Sequence, residues 1–110
     1  MADHKPPRRR WCSELVSVIC RLDNGWRLGV SGNLEEIGNS SALVLTETRI
    51  RPGTKVVLGC KARKLKGVVE SCMLDELLGF YVEIRFDPEY HWSQKWFAPR
   101  HLLPFFKARA

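Results

Sequence analysis

No stretch of about 18 apolar residues occurs in the chain, so no segment is expected to cross a bilayer as a helix. The first ten residues, MADHKPPRRR, carry charge with no apolar run behind it. No secretory signal is therefore expected, and the expected compartment is the cytoplasm. Cysteine is sparse and scattered: Cys12, Cys20, Cys60 and Cys72 form no C-x-x-C pair, and only three histidines could join them. Zinc ligation needs clustered thiolates, so no metal is expected, and the thiols are read as small apolar groups that stay reduced. The chain also lacks G-x-S-x-G, H-E-x-x-H and G-x-x-x-x-G-K. Glu35 and Glu36 are adjacent, and on a strand they would point to opposite faces rather than share a substrate. His91 and His101 read as exposed residues beside a tryptophan-rich segment. These absences predict a protein that is not an enzyme and holds no cofactor.

What remains is enough for a folded domain. At 110 residues, with 45% apolar composition and four tryptophans, the chain can bury a modest single core. No repeat or low-complexity tract interrupts it. The formal charge of +6 is uneven. Lys5, Arg8, Arg9 and Arg10 crowd the start, and KARKLK at residues 61–66 forms a second cluster. Such clusters attract phosphates. For KARKLK the favoured reading is a strand edge guarded by lysines.

Pro6-Pro7 and the arginines after them predict a flexible basic arm over residues 1–13. The barrel domain is expected over residues 14–106 and a tail over 107–110. From Glu14 the period becomes that of strands. ELVSVICRL and WRLGVSGNL flank Asp23-Asn24-Gly25, a hairpin turn. Gly29 and Gly32 in the second strand suggest a bulge, a bend or a close backbone approach. SALVLTE, KVVLGCKAR and KLKGVVESCML follow, with Arg51-Pro52-Gly53-Thr54 a turn. FYVEIRF alternates most clearly. The predicted core includes Val18, Val30, Leu43, Val57, Val82 and Ile84. After Asp87-Pro88, a helix start signal, the aromatic spacing predicts a helix over residues 87–97. Trp92, Trp96 and Phe97 would then seal the barrel, and with Phe105 and Phe106 they could alternatively stack on bases. The fold class is all-β: six short antiparallel strands forming a small barrel, with a C-terminal helix packed on it.

The stretch GNLEEIGNSSALVL, residues 32–45, joins the second and third strands. Together with the arginines before the first strand, Pro-Gly-Thr before the fourth and FYVEIRFDP near the end, it resembles the PilZ domain family. The resemblance covers residues 8–98. The family comprises bacterial receptor modules for cyclic di-GMP, so it implies a PilZ-like barrel and a nucleotide-binding signalling function. It also implies two ligand motifs, R-x-x-x-R before the first strand and [D/N]-x-S-x-x-G after the second.

Arg8, Arg9 and Arg10 supply the leading arginines, while four residues after Arg9 and Arg10 stand Ser13 and Glu14 in place of a trailing one. In the register anchored on ALVL, Glu36, Gly38 and Ser41 occupy the second motif, and all three depart from it. In the register anchored on letters, Asn33, Glu35 and Gly38 do. The expected ligand site is Arg8, Arg9, Arg10, Glu36, Gly38 and Ser41, binding cyclic di-GMP more weakly than a member with both motifs intact. Two alternatives remain open: a PilZ-like adaptor that binds a protein partner and no nucleotide, and a small barrel that binds nucleic acid.

Overall fold

A computed structural model describes residues 9–103 of the chain. Six strands follow one another: β1 (Arg9–Arg21), β2 (Arg27–Gly38), β3 (Ser41–Thr46), β4 (Lys55–Cys60), β5 (Arg63–Asp75) and β6 (Gly79–Phe86). They close into one antiparallel barrel in the order β1-β2-β3-β6-β5-β4, with β4 returning to β1. Successive strands run in opposite directions, which places the β1–β2, β3–β4 and β5–β6 connections at one end, called the upper end below. The β2–β3 and β4–β5 turns lie at the lower end. No helix of the described residues is long and apolar enough to cross a membrane.

The local chemistry explains the turns. After β1, Leu22 N–H donates to Trp26 O at 2.8 Å, and Gly25 takes a φ of 86°, which glycine adopts without steric cost. Asn24 Oδ1 accepts from Trp26 N–H at 2.9 Å and fixes the turn. Before β4, Thr54 N–H reaches Arg51 O at 3.1 Å with Gly53 at φ 90°. Proline second and a positive-φ glycine third make this a type II turn.

Inside the barrel, alternate residues of every strand pack into one core, including Val16, Val18, Leu34, Val44, Leu58, Val69, Val82 and Ile84. Gly32 sits in that inward row, and a Cβ there would come within 2.6 Å of Val44 Cγ1. It is a close approach, one of the roles expected for it. Gly29 is different: a Cβ there meets nothing within 4 Å.

Several expectations are corrected. Leu43 and Val57, expected in the core, are only half-buried; Ala42, Val44, Val56 and Leu58 point inward instead. Residues 9–13, expected in the arm, belong to β1: Arg9 pairs with Gly38 and Arg10 with Ile37. Backbone pairing with the end of β2 holds them in the sheet. Residues 1–8 and 104–110 lie outside the described residues, and with them Arg8, Phe105 and Phe106.

The helix expected over residues 87–97 does not form. Isolated turns occur instead, with Tyr90 N–H on Asp87 O and Trp96 N–H on Ser93 O. Between them Trp92 N–H donates to Asn39 O at 3.0 Å, and Asn39 Nδ2 donates to Trp92 O at 3.3 Å. Those tertiary bonds take the backbone groups a helix would need internally. The segment still seals the lower end, since Trp92 and Phe97 are buried in the core. Beyond it, Arg100 and Leu103 bond to Ser13 and Trp11 and cover the part of β1 that β4 does not reach.

Candidate functional site

Three of the six residues singled out from the sequence meet on the lower part of β1 and β2. Cross-strand pairing sets Arg9 opposite Gly38 and Trp11 opposite Glu36. Arg9 Nε lies 3.1 Å from Glu36 Oε1, and its Nη1 lies 3.1 Å from Glu83 Oε2 on β6. The guanidinium is thus held between two carboxylates, its side chain only 15% exposed. Ser71 Oγ on β5 donates to the other oxygen of Glu83. Sequence reasoning missed Glu83, because no local signal links two residues 74 positions apart.

Arg10 points elsewhere. Its Nε donates to Leu103 O at 2.6 Å and its Nη1 to Gln94 Oε1 at 2.8 Å, tying β1 to the C-terminal segment. Ser41 begins β3 opposite Arg85, and its buried Oγ has no partner among the described residues. Asn33 and Glu35, the residues of the other register, bond to each other. A shallow hollow of about 400 Å³ lies beside these groups, lined by Trp11, Cys12, Glu35, Glu36, Leu43 and Tyr81. The charges are decisive. Arg9 and Arg10 bring two positive charges, while Glu35, Glu36 and Glu83 bring three negative ones. Among the described residues a phosphate approaching here meets more negative than positive charge, and the nearest guanidinium is already engaged.

The cysteines take no part in such a site. Burial pushes the Cys12 thiol up to about 12, with the Cys60 charge and the nearby glutamates adding to it. Burial likewise pushes Cys60 up to about 12, and it raises Cys20. A thiol raised in the folded state adds stability that is fully present below about pH 8.5, where unfolded thiols are protonated, and is lost as the pH climbs higher. Two results are expected: alkaline unfolding that sets in within that upper window, and a thiol reagent at neutral pH that modifies half-buried Cys72 first. Equal labelling rates for all four thiols in the folded protein would contradict this. No group of three or more His, Cys, Asp or Glu among the described residues could hold a metal ion.

No family model, no curated protein and no solved structure matches the chain.

Proposed function

We propose that this barrel is a PilZ-like, non-enzymatic signalling module that acts as a protein-binding adaptor and does not take cyclic di-GMP at its arginine face. The Arg9 ion-pair network carries the reading. A guanidinium bracketed by Glu36 and Glu83 is not free to stack on a guanine or to fork onto a phosphate without first leaving two carboxylates unpaired. The barrel closes, so its strands offer a partner little free edge for strand addition. The upper end offers another docking route. Seven of the ten exposed large apolar side chains among the described residues lie on its two long hairpins, on opposite sides of the barrel: Leu22, Trp26 and Leu28 on β1–β2, Met73, Leu74, Leu77 and Leu78 on β5–β6. Leu77 is 94% exposed. A run of exposed apolar side chains such as Met73, Leu74, Leu77 and Leu78 on the β5–β6 hairpin marks an interaction surface.

A second reading, cyclic di-GMP binding, is favoured by one observation: the strand pairing does bring Arg9, Glu36 and Gly38 onto one face. Calorimetric titration of cyclic di-GMP into the full chain, at low and at moderate salt, separates the two. The adaptor reading expects no saturable heat at either salt. A saturable isotherm abolished by Arg9→Ala would replace it with the second reading.

A further inference from the structure

The KARKLK lysines do not guard an edge. β5 is paired to β4 and β6, and Lys64 and Lys66 stand on the outer wall of a closed barrel. Their surroundings are basic as well. Arg21 and Arg27 face each other directly across β1 and β2, and the β1–β4 register sets Lys55 next to Arg21. Like charges directly opposite one another destabilise a sheet pair. Neither hydrogen bond nor ion pair engages the side chains of Arg21, Arg27, Lys55, Lys64 or Lys66 among the described residues. These five line one groove of about 680 Å³, floored by Ile19 and Val57, with Asp87 the one acid among the described residues that line it. Arg21 and Lys55 also line a second hollow at the upper end, where Arg49 and Arg51 join them against Asp23.

Two further features fit a ligand that lies along this wall. Gly29, paired with Ile19 beside the groove, has no packing reason to be glycine, and glycine within a strand is less stable than alanine. Close approach of another backbone is a recognised use for it. Aromatic rings are also present: Tyr90 lines the groove, and Trp26, next to Arg27, is 72% exposed.

We infer that the outer wall of β2, β1, β4 and β5 binds the phosphate backbone of a single-stranded nucleic acid. Cations in a continuous groove track such a backbone, and rings at its margin accept bases. The band runs from the wall into the upper hollow, longer than one phosphate or one nucleotide requires. It also runs along the side of the barrel, where a planar bilayer touching the upper end would not reach Lys64. The inference concerns a different surface from the Arg9 face and does not depend on the adaptor reading.

Fluorescence anisotropy with labelled single-stranded RNA and DNA 15-mers, across a salt series, tests it. Affinity should fall linearly with salt on a log–log scale, with a slope of about −0.7 for each phosphate neutralised. The combined variant R21Q/R27Q/K64Q/K66Q changes only surface side chains. It should keep the parent circular dichroism and lose affinity by roughly a hundredfold or more, with a shallower slope. Trp26→Ala should weaken binding about tenfold with the slope unchanged. Lys95→Gln, away from the band, should match the parent. The inference is overturned by no anisotropy change at low salt, by a combined variant that binds like the parent, or by tighter binding to a duplex of equal length. Equal competition by polyglutamate, or binding to phosphatidylserine vesicles without binding to oligonucleotides, would likewise overturn it.

Discussion

Replacing Trp92 with alanine should destabilise the domain by about 3–5 kcal/mol, the cost of truncating a well-packed aromatic side chain. Trp92 is 4% exposed, and its indole N–H donates to Phe97 O at 2.8 Å. Its own backbone is bonded to Asn39 in the β2–β3 turn, so it joins the lower end of the barrel to the segment that closes it. Truncation removes the packing, leaves the Phe97 carbonyl unpaired and opens the plug. Small domains are stable by only about 5–15 kcal/mol, so the variant should sit near the edge of folding. Trp96 should matter less, being half-buried with the Arg63 guanidinium 5.1 Å over its ring. Urea unfolding of the two variants checks this, and equal midpoints would show that Trp92 is not the plug.

The second large effect concerns the Arg9 face. Replacing Glu36 and Glu83 together by glutamine keeps their size and removes both negative charges around Arg9. The guanidinium then lacks a charged partner, and the face becomes net positive. If internal neutralisation is what closes this surface, the double variant should gain affinity for cyclic di-GMP by about tenfold or more, since a charged hydrogen bond contributes about 1.5–3 kcal/mol. The variant should also lose on the order of 1 kcal/mol of stability, because the pairs are only partly exposed. Calorimetry measures the first effect and urea unfolding the second. A double variant as inert as the parent would mean that the residues of the turn, and not the carboxylates, exclude the nucleotide.

The six strands were legible because alternation and turn chemistry agree along the whole chain. FYVEIRF places Val82, Ile84 and Phe86 inward as its pattern requires. The faces of Leu43 and Val57 were not legible, because ALVL and KVVL are apolar at successive positions and period two cannot choose between their sides. The helix over residues 87–97 was misread for a different reason. Its aromatic spacing is helical, yet Asn39, far away in sequence, takes up the backbone groups of Trp92. At the candidate site the sequence brought Arg9 toward Glu36 and Gly38, but it expected an arm folding over a turn, whereas all three lie on paired strands. It could not show that Arg9 meets Glu83, nor that Arg10 turns toward Gln94 and Leu103, since all three partners lie far away in the chain. The lysine cluster was assigned to an edge because closure of the barrel depends on the β1–β4 pairing, which leaves no local signal.

The state of the Arg9 guanidinium tests the central claim most directly. In a proton–nitrogen NMR spectrum of the arginine side chains, the Arg9 Nε–H should exchange slowly with water, because it is bonded to Glu36 and little exposed. Adding cyclic di-GMP should leave that resonance where it is. A resonance that is broadened by exchange in the free protein, or that shifts in saturable fashion as cyclic di-GMP is added, would show that Arg9 serves a ligand rather than the barrel.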